Sequence, residues 1–281
     1  MKEFNGRVAA ITGAGSGIGR ALARELADRG CHLALSDVDP DGLAETVARC
    51  EGAGVKVTSR MVDVADRAAV FAWADQAAEE HGRINLIFNN AGVAVVATVE
   101  AHSFADFEWL MSINFWGVVH GTKAFLPHLR ASGEGHVVNM SSVFGLISVP
   151  SQAAYNSAKF AVRGFTDALR MELEIEGAPV SATTIHPGGI KTNIVRNARI
   201  DEGSGALGDA SNVRATFDRV ALTSPEKAAR QILAAVANDR RRALIGPDAK
   251  VIDLLARLPG GLYQRALVRG ARQGTRSLKN R

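Results

Sequence analysis

The chain has 281 residues, of which 47% are hydrophobic and 22% are charged, and its formal net charge is +4. These values are typical of a globular protein with one large domain or two small ones. They do not support nucleic-acid binding, because over most of the chain the small positive surplus is not gathered into a basic stripe with interleaved aromatic residues.

The beginning of the chain and its cysteines bear on location. Met1 is followed by a short polar segment without an apolar signal-peptide core, and no uncharged apolar run reaches about 18 residues. We therefore expect a soluble, cytoplasmic protein. Cys31 and Cys50 lack metal-ligand spacing and fit reduced, partly buried thiols, so no metal site is predicted.

A glycine-rich turn lies between the first predicted strand and the first predicted helix. The apolar run from Arg7 to Thr12 is followed by the turn, and helical periodicity extends from Arg20 to Arg29. Glycines allow a close backbone approach to a pyrophosphate, which the free N–H groups of a helix N-terminus can bind. The turn predicts a dinucleotide site, to which we assign Gly13, Ser16, Gly17, Ile18 and Gly19.

Asp37 ends the second predicted strand, which begins at His32. A carboxylate at this place accepts hydrogen bonds from an adenosine ribose. It would repel a 2′-phosphate, and no Arg or Lys lies in the glycine turn or directly after Asp37. The sequence therefore favours NAD over NADP as cofactor.

Two further strand ends carry candidate cofactor residues. Asp63 and Val64 follow a strand predicted from Val55 to Met61, and we expect them near the adenine; alternatively, Asp63 only caps the next helix, from about 65 to 81. Asn90 and Gly92 lie in a polar turn after the strand that ends at Phe88. This turn either braces neighbouring strands or contacts the cofactor ribose.

The alternation of short apolar strands with amphipathic helices predicts the fold class. We expect an α/β protein with a single Rossmann-type, doubly wound domain of about seven parallel strands and helices on both faces. The domain is assigned to residues 1–250, and residues 251–281 form a C-terminal helical extension and basic tail.

Ser142, Tyr155 and Lys159 are the candidate reaction centre. Ser142 follows a predicted buried strand, and Tyr155 and Lys159 lie four residues apart, which puts them on one helix face. An ammonium near a phenol lowers the phenol's pKa from about 10. The alternative is a solvated helix face that happens to carry Tyr and Lys.

Asn114 is a polar residue within an apolar stretch of a long helix predicted from about 112 to 130. A buried amide is costly unless it is hydrogen-bonded. We expect either a functional residue or a helix kink satisfied by water.

Taken together, these motifs resemble the short-chain dehydrogenase/reductase family over roughly Gly6 to Gly246. The resemblance implies that Tyr155 is the general acid/base, Ser142 binds the substrate oxygen, Lys159 binds the nicotinamide ribose and Asn114 holds a proton-relay water. It also implies that the segment after the strand ending near Ile185 passes under the nicotinamide, with cofactor contacts from Pro187, Gly188, Ile190 and Thr192. His186 is expected to be structural.

The implied function is hydride transfer between NAD(P) and a secondary alcohol or ketone. An inactive cofactor-sensing or scaffold protein on the same fold is the alternative, and dehydration or epimerisation is a third reading. Apolar segments at Val93–Val96, Phe144–Val149 and Ile194–Val195 predict an uncharged, apolar substrate, unless they are ordinary core. The glycine-rich segment from Asn193 to Thr223 is expected to be a lid.

Two regions bear on partners. The helices at 114–130 and 152–174 carry more apolar surface than one sheet face needs, and the family resemblance implies a homodimer or homotetramer built on them.

After Gly246 some 35 residues follow, and the stretch from Arg265 to Arg281 contains no Asp or Glu. We expect a helix that caps the sheet edge or a neighbouring subunit, then a disordered basic tail. A basic amphipathic helix on a membrane surface is the less favoured alternative.

Overall fold

The computed structural model describes residues 2–201, 215, 217, 219–258 and 261–279, with the side chains of 271 and 273–279 left out. Its main sheet contains seven strands in the order β3-β2-β1-β4-β6-β7-β9, and every neighbouring pair is parallel. The strands are β1 Val8–Thr12, β2 His32–Asp37, β3 Val57–Met61, β4 Leu86–Asn89, β6 Gly135–Met140, β7 Val180–Pro187 and β9 Arg242–Ile245. This topology confirms the predicted fold class.

Helices cover both faces of the sheet. They are α1 Gly17–Ala27, α2 Pro40–Cys50, α3 Arg67–His81, α4 Phe104–Met111, α5 Gly117–Ala131, α6 Ala153–Ile175, α7 Pro225–Ala237, α8 Pro247–Ala256 and α9 Leu262–Lys279. One apolar core joins α1 and α7 to one face, and a second joins α3, α5 and α6 to the other. Because both faces are covered, the central strands β1, β4 and β6 are buried along their whole length rather than at alternate residues.

The helix predicted from about 112 to 130 is interrupted near its beginning. Residues Ser112–Trp116 form a π-helical turn between α4 and α5. Asn114 lies in this turn with 0% of its surface exposed. Turns of this kind often mark functional sites, because the extra residue redirects a side chain.

A small second sheet pairs β5 Val95–Val96 with β8 Arg199–Ile200. Alternation along the chain did not predict it, because each strand has only two residues. Arg199 also stacks on the ring of Trp109 and forms an ion pair with Asp106 at 2.6 Å. The beginning of the expected lid is therefore anchored, and about half of that segment, at 202–214, 216 and 218, lies outside the described residues.

Gly246 joins β9 to the first helix of the C-terminal region, α8, which begins at Pro247. This helix packs on β9 and on the short 3-10 turn Val143–Gly145 that follows β6. In the part of the chain that was described, no helix is long and apolar enough to cross a membrane.

Candidate active site

The glycine turn is a tight structure that excludes side chains. Gly13 and Gly17 have φ angles of +64° and +52°, which favour glycine, and a Cβ on Gly19 would lie 2.0 Å from the Gly13 carbonyl oxygen. Asn90 braces the turn from the end of β4, because its Nδ2 donates to the carbonyls of Thr12 at 2.9 Å and Gly13 at 3.1 Å. Asn90 thus acts on the backbone that the sequence assigned to the cofactor.

The N-terminus of α1 is free to bind an anion. Ser16 precedes the helix in an extended conformation, its side chain makes no capping hydrogen bond, and the first turn, which includes Ile18, carries no acidic residue. The first backbone N–H groups of a helix lack partners within it and point at the space beyond its end. The Thr192 methyl lies 3.1 Å from where a Gly17 Cβ would be, so Thr192 borders this space.

Asp37 is fixed beside the glycine turn. One carboxylate oxygen accepts from the Gly15 amide at 2.7 Å, and the other accepts from the amides of Val38 at 2.7 Å and Asp39 at 3.0 Å. These bonds hold the carboxylate at the end of β2. Arg20 is the nearby cation that the sequence reading passed over: it pairs with Glu45 at 2.8 Å and donates to the Gly15 carbonyl.

Asp63 and Val64 lie after β3, close to the first turn of α5. The Asp63 carboxylate accepts from the Ala65 amide at 2.9 Å, whereas the capping bond of α3 comes from Asp66, which accepts from the Ala69 amide at 3.1 Å. The alternative that Asp63 caps α3 is therefore wrong, and the helix, predicted from about 65, begins at Arg67. Val64 packs against Gly117, where a Cβ would lie 2.7 Å from its Cγ2.

Ser142 stands at the carboxyl end of β6, as expected. Its Oγ accepts from the Phe144 amide at 3.1 Å, which leaves its own proton available for another acceptor. Its carbonyl accepts from Nδ1 of His186 at 2.8 Å. Burial lowers the pKa of His186 to about 4, so this imidazole is neutral at pH 7 and its Nδ1 carries the donated proton.

Tyr155 and Lys159 occupy one face of α6 beside Ser142. The Lys159 ammonium lies 5.5 Å from the centre of the Tyr155 ring and donates to the Met140 carbonyl at 2.9 Å. Tyr155 is half-buried, and its ring meets that of Phe144 edge-on with centroids 6.1 Å apart. Ser142 and the Met140 carbonyl, at the end of β6, therefore lie beside Tyr155 and Lys159 of α6.

The pKa of Tyr155 differs from the expected direction. Burial raises it to about 12, and the hydrogen bond with Ser142 acts in the opposite direction. Burial also lowers the pKa of Lys159 to about 8. The expected net lowering of the Tyr155 pKa is wrong for this structure, because desolvation of the phenolate outweighs the hydrogen bond with Ser142.

Asn114 belongs to the same site. Its Oδ1 accepts from the Val93 amide at 2.8 Å and its Nδ2 donates to the Val93 carbonyl at 2.8 Å, so protein atoms rather than water satisfy it. Gly92 lies between Asn114 and Lys159: a Cβ there would be 3.2 Å from the Asn114 oxygen and 3.7 Å from the Lys159 nitrogen. The polar turn after β4 thus touches both residues.

The segment after β7 passes the same edge of the sheet. Pro187 ends β7, the Gly188 amide donates to the Ile245 carbonyl at 2.9 Å, and Ile190 is buried. Asp248, in the first turn of α8, accepts from the Gly189 amide at 2.6 Å. A Cβ on Gly188 would lie 2.1 Å from the same carboxylate, so the glycine is required for this close approach.

The sequence analysis did not predict the contact of Asp248 with the Gly189 amide or the hydrogen bond that His186 donates to the Ser142 carbonyl. Asp248 follows the last strand and so stands at the carboxyl edge of the sheet, where ligands bind, which is a signal that could have found it. No local pattern shows that His186 donates to Ser142, because 44 residues separate the two.

Replacing Asp248 by Ala should loosen the Gly188–Gly189 turn. A hydrogen bond to a charged group contributes about 1.5 to 3 kcal/mol, so exchange of the Gly189 amide hydrogen should accelerate about tenfold to a hundredfold. NMR measurement of the Gly189 amide exchange rate tests this expectation in Asp248→Ala. The control is Lys250→Ala, which changes an exposed residue of the same helix. An unchanged Gly189 rate in Asp248→Ala would contradict the assigned bond.

Comparison with known proteins agrees with this arrangement. A family model described as short chain dehydrogenase matches residues 7–203. The Mycobacterium tuberculosis protein SadH, which carries the name of an oxidoreductase, is 52% identical over 271 residues, covering 96% of this chain and 97% of SadH. Estradiol 17-beta-dehydrogenase 11 of Macaca fascicularis is 38% identical over 70% of this chain and 66% of its own length.

The solved structures agree as well. The crystal structure of a short-chain dehydrogenase/reductase from Burkholderia phymatum in complex with NAD is 34% identical, has a TM-score of 0.83, and covers 91% of this chain and 94% of its own. The family match, the relatives and the sheet topology agree with one another. The chain therefore belongs to the short-chain dehydrogenase/reductase family of oxidoreductases.

Proposed function

We propose that this protein transfers a hydride between NAD and an apolar secondary alcohol or ketone, with Tyr155 as the general acid/base. The convergence of Ser142, Tyr155, Lys159 and Asn114 at the carboxyl edge of β4 and β6 is the observation that carries the proposal. These residues supply a hydroxyl donor, a transferable proton and a buried cation in one place. An inactive scaffold has no need for the buried cation, which is costly to keep.

A nicotinamide dinucleotide fits the residues that surround this site. The uncapped N-terminus of α1 faces the glycine turn and suits the pyrophosphate, and Asp37 suits the adenosine ribose. We place Asp63 and Val64 near the adenine, Asn90 and Gly92 near the inner ribose, and Pro187, Gly188, Ile190 and Thr192 near the nicotinamide. When bound, the nicotinamide ring supplies or accepts the hydride.

The protein's own groups would manage the proton. The Ser142 hydroxyl accepts from the Phe144 amide and hydrogen-bonds with Tyr155, and it would donate its proton to the substrate oxygen when substrate is bound. With a pKa of about 12 Tyr155 is protonated at pH 7, so it can deliver a proton to the alkoxide that forms during ketone reduction. In alcohol oxidation the proton moves the other way, and the Lys159 ammonium would stabilise the phenolate.

Lys159 and Asn114 would support that proton transfer. The ammonium is buried and fixed by Met140, so it sits close to Tyr155 without needing to reorganise. Asn114 is fixed by both of its bonds to Val93, and its oxygen keeps a second lone pair. That lone pair is available for the relay water that the family resemblance implies.

The apolar surroundings support an apolar substrate. Val95 and Val96 are buried in the small sheet beside the turn that holds Asn114, and Leu146 and Ile147 are buried after Ser142. The likeness to a dehydrogenase named for estradiol agrees with an apolar alcohol.

Cys31 and Cys50 are buried free thiols, and burial raises their pKa to about 12 and about 11, which fits reduced cysteines in the cytoplasm.

Tyr155→Phe should abolish turnover and preserve cofactor binding, because it deletes the transferable proton and little else. We expect kcat to fall by at least about a hundredfold, the lower end of what acid/base catalysis contributes. Turnover of apolar secondary alcohols and ketones, followed by absorbance of the reduced cofactor, measures it. Tyr263→Phe, which removes the hydroxyl of the chain's other tyrosine, is the control; equal losses in both variants would refute the role of Tyr155.

The protein should prefer NAD to NADP by roughly tenfold up to several hundredfold. A 2′-phosphate several ångströms from the Asp37 carboxylate would be destabilised by about 1 to 4 kcal/mol at effective dielectric constants of 80 to 20. Asp37→Ala should narrow the ratio of kcat/KM for the two cofactors. Equal use of both cofactors by the parent protein would mean that Asp37 does not face the ribose.

A homodimer or homotetramer built on α5 and α6 is also proposed. Trp116 is 52% exposed, and Phe71, Trp116 and Val119 border a surface cavity of about 480 Å³. Exposed apolar residues on α6, such as Met171 and Ile175, extend this surface. Sedimentation should show an oligomer at micromolar concentration that Trp116→Glu converts into smaller species; a monomeric parent protein would refute the proposal.

A further inference from the structure

The first helix of the C-terminal extension turns an apolar stripe to solvent. Val251, Leu254 and Leu255 are 59%, 66% and 41% exposed, and their spacing puts them on one side of the helix, while Leu258, two residues beyond its end, is 44% exposed. The opposite side of α8 is buried, with Ala249 at 0% and Asp253 at 9% exposure. The helix thus packs through one side and leaves leucines uncovered on the other, which marks an interaction surface.

A row of arginines follows on the next helix. Arg265, Arg269 and Arg272 are exposed and are spaced by four and three residues, so they share one side of α9. The sequence continues the same spacing at Arg276 and Lys279, and no Asp or Glu occurs from Arg265 to Arg281. Leu262 and Val268, exposed by 48% and 43%, flank this row.

We propose that this surface docks the protein on an anionic lipid bilayer. The docking face consists of Val251, Leu254, Leu255, Leu258, Leu262 and Val268 together with Arg265, Arg269 and Arg272. Apolar side chains of an interfacial helix enter the boundary between headgroups and acyl chains, and arginines bind lipid phosphates. Exposed leucines on one helix and a row of arginines on the next are the complement of such a surface.

The charge of the docking face argues against a second copy as its occupant. A twofold contact brings the same patch of both subunits together. The arginine row of one copy would then face that of the other, and α9 offers no acidic residue to compensate. A nucleic acid would satisfy the arginines, but it would leave the leucine stripe of α8 in water.

The docking face is continuous with the substrate side of the candidate site. α8 packs on the turn Val143–Gly145 directly after Ser142. The hydroxyl of Tyr263, at the start of α9, accepts from the Ser148 amide at 3.5 Å. A bilayer bound at the docking face therefore lies next to the loop that borders the substrate, which goes beyond the proposed reaction and does not depend on it.

Vesicle co-sedimentation of the full-length protein tests the proposal without measuring turnover. Phosphatidylcholine vesicles containing about a third phosphatidylserine should bind the protein at 0.1 M NaCl, at least tenfold more tightly than pure phosphatidylcholine vesicles. Leu254→Glu/Leu258→Glu should weaken binding at least tenfold, and so should Arg265→Glu/Arg269→Glu. Because all four side chains are exposed, the variants should keep the parent's circular dichroism and melting temperature.

Matched controls lie at the other edge of the sheet. Met61→Glu replaces a residue that is 65% exposed on β3, and Lys56→Glu reverses a charge beside that strand. Both should bind vesicles like the parent. The proposal is overturned if the docking-face variants bind like these controls, or if the parent binds neutral and anionic vesicles equally or not at all.

Two other outcomes would also overturn it. In one, Leu254→Glu/Leu258→Glu dissociates an oligomer in sedimentation without changing vesicle binding, which would make a second copy the occupant. In the other, duplex DNA displaces the parent protein from anionic vesicles at equal phosphate concentration, which would assign the arginines to nucleic acid.

Discussion

The buried ammonium of Lys159 is the constraint around which the candidate site is arranged. Only 3% of this residue is exposed, and a lysine so placed is unfavourable in its charged form unless hydrogen-bond acceptors compensate. The Met140 carbonyl at the end of β6 supplies one acceptor. Ser141 donates to the Lys159 carbonyl at 2.8 Å, so strand and helix are joined at the same residue in both directions.

These two bonds determine where the neighbouring groups can lie. Since β6 and α6 are fixed to each other at Lys159, Ser142 and Tyr155 are fixed as well, one residue beyond Ser141 and one helical turn before Lys159. A Cβ on Gly145 would lie 2.7 Å from the Lys159 carbonyl, so the chain after Ser142 also packs directly on this helix. The reaction geometry therefore follows from backbone contacts more than from side-chain freedom.

A second buried network holds β4 and β6 together behind the site. Asn89 donates to Asn139 at 2.8 Å and to Thr122 at 3.1 Å, and Asn139 donates to Thr166 at 3.0 Å. A Cβ on Gly121 would lie 2.0 Å from the Asn89 oxygen, so α5 approaches the sheet only because it has glycine there. These bonds connect side chains of β4, α5, β6 and α6 behind the site, although the Asn89 Oδ1 has no hydrogen-bond partner among the described residues.

The sequence predicted the sheet and the members of the site because these depend on local patterns. Apolar runs and helical periodicity located the strands, and their carboxyl ends brought Asp37, Asn90 and Ser142 to one edge, whereas Pro187 was assigned from the family resemblance. What it missed depends on contacts between distant segments. The direction of the Tyr155 pKa depends on burial by several elements, and the β5–β8 pair and the contacts of Asp248 join residues about 60 to 105 positions apart.

The C-terminal extension shows why such contacts matter for function. It follows β9 at the edge of the sheet, yet Asp248 accepts from the Gly189 amide in the loop after β7, and Tyr263 accepts from the Ser148 amide in the loop after β6. Both loops therefore end against the same two helices. Because those helices also present the exposed leucines and arginines, anything that binds the docking face binds the helices that contact both loops.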